Sequence, residues 1–366
     1  MFLTINSGSS SLRMAVYMRE GGELRRLATT RHETGGGSYD ELLRQFIYEH
    51  NLQDVRGVVH RVVHGGSYFS GACHIDTEVE SRIEELVPLA PLHNPQALAL
   101  IRTARKLLPS QTAHVAVFDT GFFHSMPERA ARYALPSDLS CAHEPRRYGF
   151  HGLAHQAMWQ AWLRHEPGQS KTRLITLQLG AGCSISAIRD GKPLDTSMGF
   201  SPLEGLVMAT RSGDLDPGLL LYLQRQEGWT PEQLDNMLNR HSGLLGVSGL
   251  SGDMRDLLDS AEPRAQQAID LYCYRAAKYI GAYLAVLRGT DGIVFGGGVG
   301  EHAPPIRARI LGYLDWAGIN LDPDANQTAI GEAGRISRAD SRIAAWVLPV
   351  DEARLMAEQA WQLLDA

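Results

Sequence analysis

With 366 residues, 44% of them hydrophobic and 21% charged, the chain has the balance of an ordinary globular protein and the length for two cores. A net charge of −6 argues against a general nucleic-acid binder, and no stretch has the apolar length of a membrane span. The start has no signal-type segment, and the four cysteines form no C-x-x-C pair, so reduced, buried thiols in a cytoplasm are expected.

In chain order, 2–5 is an apolar run that predicts a strand. A tight turn, Asn6-Ser7-Gly8-Ser9-Ser10-Ser11, follows, and then a returning strand over 12–17. The first 30 residues therefore read as a meander. Leu42, Leu43, Phe46 and Ile47 have helical spacing and predict a helix over 39–50. The β-branched runs 58–63 and 115–118 predict buried strands, with helices around 78–87 and 94–107 between them. The second half repeats the style. Two strands over 173–189 flank Gly180-Ala181-Gly182-Cys183, and helices are expected near 216–226, 231–240 and 262–287. A strand over 293–295 leads into Gly296-Gly297-Gly298-Val299-Gly300-Glu301. A helix near 304–316, a strand over 344–348 and a last helix over 351–364 complete the chain. Strands alternating with helices mean α/β, with a domain boundary near 150.

The strand–glycine turn–strand pattern thus occurs once in each half. Such a turn lets backbone N–H groups and hydroxyls converge on an anion, and two of them facing across a cleft could hold a polyphosphate. Gly296–Gly300 is either a structural turn or a backbone contact for a nucleotide at a helix N-terminus. Arg61, within β-branched residues, and Arg211 need an anion or a salt bridge. Asp119 and Glu352 follow strands and could hold Mg²⁺, with Asp351 as a helix cap. His151 and His155 are four apart, but no third ligand stands near, so zinc is not expected. His151 could instead donate a hydrogen bond to a transferring phosphoryl group. The Walker pattern and Gly-x-Ser-x-Gly are absent, which leaves phosphate to dispersed turns, arginines and magnesium.

At this point the chain resembles the acetate kinase family over nearly its whole length. The matching segments are Asn6–Arg13, His60-Arg-Val-Val-His-Gly-Gly66, Pro91-Leu-His-Asn-Pro95, Phe118-Asp-Thr120 and Arg147-Tyr-Gly-Phe-His-Gly152. They continue with 195–205, Thr210-Arg-Ser-Gly213, Ser242-Gly-Leu-Leu-Gly246 and Gly298-Val-Gly-Glu301. The resemblance implies a duplicated actin-like α/β fold, two domains around a cleft. Residues 1–149 plus about 351–366 would form the N-terminal domain, and 150–350 the C-terminal, nucleotide-side domain. It implies reversible, direct in-line transfer from ATP to acetate with Mg²⁺, or Mn²⁺ in its place, giving acetyl phosphate and ADP. It implies a cytoplasmic homodimer that binds a short-chain carboxylate and a nucleotide, with no nucleic acid and no membrane. Arg61, Asp119, His151 and Arg211 would be catalytic. Arg61, Val63, Leu92, His93, Phe150 and Pro202 would hold the acyl substrate. Ser9, Ser11, Arg13, Gly180, Gly182, Asp253, Met254, Arg255, Gly298, Val299, Gly300 and His302 would bind nucleotide or phosphate. Asn6 and Glu352 would serve the metal.

The sequence also departs from the family pattern. The usual His-Leu-Gly-Asn-Gly is Gln178-Leu-Gly-Ala181-Gly, Gly-Glu-Asn is Gly300-Glu-His302, and Thr-Asn-Glu-Glu is Val350-Asp-Glu-Ala353. Arg13 stands where lysine is usual, and Met254 within the adenosine motif. The acyl side keeps the family pattern and the nucleotide side is altered. That leaves open acetate against propionate, and ATP against another donor such as pyrophosphate. The other readings are a sugar or polyol kinase of the same fold, which would need a carboxylate base, and a nucleotide-regulated binding protein.

Overall fold

The computed structural model describes residues 1–8, 11–33, 38–167 and 171–365. The chain forms two compact units: Met1–Ser125 with Ala142–Glu144 and Asp351–Ala366, and Met126–Cys141 with Pro145–Val350.

The first unit is built on a six-stranded sheet. Its strands are β1 (Phe2–Ser7), β2 (Ser11–Glu20), β3 (Glu23–Glu33), β4 (Gly57–Val62), β5 (Cys73–His74) and β6 (Ala113–Phe118), in the order β3-β2-β1-β4-β6-β5. The β1–β2–β3 meander is antiparallel, whereas β4 and β6 run parallel to β1. Every residue of β1 is buried, as a central strand covered on both faces requires. One face carries Leu3, Ile5, Leu12, Met14 and Val16 against Leu43, Phe46 and Ile47 of the helix Tyr39–Glu49. On the other, Ala15 and Tyr17 meet Ala357 of the helix Glu352–Asp365, and Phe2 packs edge-on to Trp361 at 5.3 Å. That apolar seam is what binds the last helix to the first sheet. β3 lies at the sheet edge, where its exposed arginines and glutamates discourage further strand pairing.

The second unit repeats the plan with β7 (Arg173–Leu179), β8 (Cys183–Arg189), β9 (Lys192–Thr196), β10 (Gly292–Gly296), β11 (Gly334–Arg335) and β12 (Ala344–Val347). Its order, β9-β8-β7-β10-β12-β11, matches the first sheet strand for strand, and so do the directions of pairing. This is the expected duplicated, actin-like α/β fold. In both sheets the first strand has an antiparallel hairpin on one side and two parallel strands in succession on the other. The carboxyl ends of β1, β4 and β6, and of β7, β10 and β12, are where an open α/β sheet binds ligands.

Some elements differ from expectation. The helix expected over 304–316 is Pro304–Gly312, followed by a 3₁₀ turn at Asp315–Ala317. The one expected over 78–87 is Thr77–Glu85, with a separate 3₁₀ turn over Val87–Leu89 because Pro88 has no N–H to continue the ladder. Cys183 and Cys273 are buried, but Cys73 is only partly covered, and Cys141, in an irregular segment, is exposed. Ser9 lies outside the described residues.

Candidate active site

In the first unit four predicted residues meet through hydrogen bonds. Arg61 lies near the end of β4, and Asp119 follows the parallel neighbour β6. The guanidinium meets the carboxylate side by side, Nε donating to Oδ1 at 3.0 Å and Nη2 to Oδ2 at 2.5 Å. Its Nη1 donates to Asn6 Oδ1 at 3.0 Å, and Asn6 Nδ2 donates to Glu352 Oε2 at 2.7 Å. The order Asp119–Arg61–Asn6–Glu352 fixes the asparagine amide on chemical grounds: its oxygen faces a donor and its nitrogen an acceptor. Burial opposes the charge on Arg61, whose side chain is 11% exposed, but Asp119 and Glu352 outweigh it and raise its pKa. A side-by-side pair of this kind presents the guanidinium in a single orientation.

The elements carrying these residues are themselves pinned. Asp351 caps the helix Glu352–Asp365 by accepting from the Arg354 N–H at 2.9 Å, and it takes the Tyr17 hydroxyl hydrogen bond at 3.0 Å. The chain after Arg61 is held where the Asn94 amide bonds both backbone groups of His64 and the Gly65 N–H donates to Thr120 Oγ1. His93 sits at the N-cap of the helix Asn94–Leu107. Val63 is buried, whereas Leu92 is half exposed. Ser11 opens β2 and its carbonyl accepts the Gly8 N–H at 2.8 Å, closing the first turn, while Arg13 is exposed, opposite Asn6 in the hairpin register.

In the second unit the Gly180–Gly182 turn between β7 and β8 forms the centre. A Cβ on Gly182 would lie 3.3 Å and 3.4 Å from Cε1 and Nε2 of His151 and 3.7 Å from Nη1 of Arg211, so the turn's backbone runs directly against both side chains. His151, in the left-handed conformation at φ 58°, caps the helix Gly152–His165, and its Nδ1 bonds Ser184 Oγ at 2.9 Å. Arg211 differs from Arg61. Its hydrogen bonds among the described residues go to Pro202 O at 3.3 Å and weakly to Met208 Sδ, with no carboxylate, and burial lowers its pKa. A half-buried cation paired only with a carbonyl and a thioether is suited to an incoming anion. Phe150 is fully buried and Pro202 partly so.

Further glycine-rich backbone adjoins the same turn. Gly297, at φ 76°, opens the helix Gly297–His302, which also contains Gly298, Val299 and Gly300; a Cβ on Gly297 would fall 2.7 Å from Leu179 O. Glu301 caps this start through the Gly297 N–H at 2.9 Å and also accepts from the Val350 N–H at 3.2 Å. On the other side, Ala181 O accepts from the Ala209 N–H. Asp253 caps the helix Met254–Asp259 and pairs with the exposed Arg255 at 2.5 Å, while the Met254 side chain is buried. Two of the altered positions, Ala181 and His302, are exposed, the latter against Gly331.

Among the described residues no group of three or more His, Cys, Asp or Glu side chains gathers as a metal site. Mg²⁺ does not need one, since it is commonly held by one or two carboxylates, substrate phosphates and water. Glu352 supplies such a hard oxygen donor, held in place by Asn6. Asp119 and Asn6 are instead engaged with Arg61, so the donor set that fits the ion rests on Glu352.

Sequence reasoning missed two sets of residues. The first is Ser184, His155 and Thr176, which adjoin His151; the i,i+4 histidine spacing was their visible signal. The second is a clamp on the loop before Gly205. Glu204 accepts from Tyr133 and from Arg147 (2.5 Å), and Arg147 also donates to Ser197 O.

A sequence profile of the Acetokinase family matches residues 18–358. An acetate kinase from Rhodopseudomonas palustris is 40% identical over all of this chain and 98% of its own length, and one from Solibacter usitatus is 47% identical over 84% of this chain and 75% of its own. Among solved structures, an acetate kinase from Porphyromonas gingivalis superposes with a TM-score of 0.88 at 37% identity, covering 99% of both chains. A propionate kinase from Francisella tularensis gives 0.87 at 35%, covering 98% of both. With its motifs, its duplicated fold and these relatives in agreement, the chain belongs to the acetokinase family.

Proposed function

We propose that this protein is an acetate kinase, transferring the γ-phosphoryl group of ATP to the carboxylate of acetate, reversibly, to give acetyl phosphate and ADP. Family membership sets the reaction class, and the observation that carries the reading to these residues is Arg211, a half-buried guanidinium with no carboxylate partner among the described residues. The acceptor is already an anion, so no general base is needed; what phosphoryl transfer requires is positioning and neutralisation of charge. Arg61, oriented by Asp119, and Arg211 present guanidinium N–H groups to carboxylate and phosphoryl oxygens. His151 gives a hydrogen bond to the group in flight. The close-approaching backbone of the Gly180–Gly182 turn and the N–H groups of Gly298, Val299 and Gly300 support the donor phosphates. Glu352, positioned by Asn6, would hold Mg²⁺, which when bound would supply charge neutralisation to the phosphate oxygens.

The C-terminal half, 150–350, is the nucleotide side, with Asp253 and Arg255 toward the nucleoside. The residues assigned to the acyl substrate are Val63, Leu92 and His93 in the first unit and Phe150 and Pro202 in the second. One methylene in an apolar pocket is worth only about 1–3 kcal/mol, so propionate is a second substrate, in line with the similarity to a propionate kinase. The protein acts as a homodimer in the cytoplasm; no described helix is long and apolar enough to cross a membrane.

The test is acyl-phosphate formation with Mg²⁺, trapped as the hydroxamate, with acetate, propionate and butyrate each paired with ATP, GTP and pyrophosphate. Product with acetate and ATP bears the reading out. Product only with another donor reassigns the donor and gives Ala181 and His302 a functional meaning. No product with any pair refutes it.

A further inference from the structure

The side chain of His151 ends a chain of four groups. Thr176 on β7 and Ser184 on β8 lie on the face of the sheet covered by the helix Gly152–His165, which carries His151 and His155 one turn apart. Thr176 Oγ1 is 2.7 Å from His155 Nδ1, His155 Nε2 is 2.7 Å from Ser184 Oγ, and Ser184 Oγ is 2.9 Å from His151 Nδ1. Thr176, Ser184 and His155 are fully buried.

Four groups joined by three hydrogen bonds can be protonated in two directions, and the far end decides between them. Thr176 makes no other side-chain hydrogen bond among the described residues. If His155 donated to Thr176, the threonine hydroxyl hydrogen would be left buried without an acceptor, a loss of about 1–3 kcal/mol. Thr176 therefore donates to His155 Nδ1. His155, fully buried, is kept neutral by that burial, so it has one N–H, which must be on Nε2 and is given to Ser184 Oγ. The single hydroxyl hydrogen of Ser184 then points to His151 Nδ1. A ring whose Nδ1 accepts carries its proton on Nε2, the nitrogen that lies against Gly182.

We infer that Thr176, His155 and Ser184 are positioning residues that fix His151 as the neutral Nε2–H tautomer, so that it serves phosphoryl transfer as a hydrogen-bond donor and not as an imidazolium or a base. The catalytic use of that donor rests on the function proposed above; the direction of the chain does not. The arrangement also accounts for the two histidines at i,i+4 without a metal.

The direct test is ¹⁵N NMR of the full-length protein labelled at histidine, with the His151 signals assigned from His151→Ala. The wild type at neutral pH should show a bare Nδ1 and a protonated Nε2. Thr176→Val, which keeps the shape and removes the terminal donor, should shift His151 toward a mixture of tautomers and lower kcat about tenfold, with KM for acetate and ATP within about twofold. Thr176→Ser should restore both. A His151 in the wild type that carries its proton on Nδ1, or on both nitrogens, overturns the inference. So does a Thr176→Val protein with an unchanged tautomer and kcat. Absence of any acyl-phosphate synthesis in the wild type would sink the functional reading alone, because the tautomer is read without turnover.

Discussion

Replacing each site arginine by methionine should affect stability in different ways while abolishing activity in both cases. Arg61→Met removes the partner of Asp119, whose side chain is 1% exposed, and leaves that carboxylate buried and unpaired. Breaking a buried pair in this way costs about 3–5 kcal/mol. Among the described residues Arg211 bonds only Pro202 O and Met208 Sδ, so Arg211→Met strands no carboxylate there, and it removes a cation that burial already disfavours. Its effect on the unliganded fold should stay within about 1 kcal/mol of zero, in either direction. On the function proposed above either change removes a transition-state donor, so acyl-phosphate synthesis should fall by roughly a thousandfold or more. Urea unfolding followed by circular dichroism and tryptophan fluorescence gives the stabilities, and the hydroxamate assay the rates. Adding Asp119→Leu to Arg61→Met should return most of the lost stability without returning activity, because two apolar side chains replace an ion pair. Equal stability losses at Arg61 and Arg211 would refute the assignment of one as paired and the other as awaiting an anion, as would full activity in either variant.

Three further outcomes are expected. Gly182→Ala places a methyl 3.3 Å from the His151 ring, and should lower kcat about 10- to 100-fold with little change in the unfolding midpoint; an unaffected kcat would mean the turn does not need that approach. Glu352→Gln should raise the Mg²⁺ concentration for half-maximal activity at least about tenfold, measured by titrating the metal at fixed ATP, and an unchanged requirement would remove Glu352 from the metal. Stability should fall with acid between about pH 6.5 and 4. Burial, with His114 and Arg105 nearby, lowers the pKa of His60, and burial with Arg105 lowers His114 to about 4, so the unfolded chain binds protons that the native one refuses. Each such histidine adds about 1.4 kcal/mol per pH unit to the slope, and the His114 share levels off below about pH 4. Urea midpoints that do not move between pH 7 and 5 would contradict this.

Local pattern was enough to read the repeated strand–turn–strand unit and most helices, because apolar spacing and glycine punctuation are short-range signals. Arg61 and Asp119 stood out since a charge beside a β-branched run has to be accounted for. Their pairing was not readable, because it depends on which strands lie side by side in register. Asn6 and Glu352 are 346 positions apart, and only the seam between the last helix and the first sheet brings them within a hydrogen bond. The Thr176–His155–Ser184 chain was hidden for a related reason: two hydroxyls on neighbouring strands look like ordinary strand residues until a helix is laid over them. β5 and β11 have two residues each, too few for any alternation to register.

The two sheets share a strand order, yet the chain has assigned different materials to equivalent positions. Where β4 and β6 end, the groups proposed to act are the side chains of Arg61 and Asp119; where β10 ends and beside β7, the close approaches are made by the bare backbone of Gly297 and Gly182. The two halves should therefore be fragile to opposite kinds of change. In the first, shortening or neutralising a side chain is ruinous and bulk is a secondary matter. In the second, the smallest addition of bulk does the harm, and even alanine, harmless at most surface positions, becomes a severe substitution. A map of tolerated substitutions should show this as two contrasting textures over one repeated architecture: intolerance of lost chemical groups in the first half, and intolerance of gained atoms in the second.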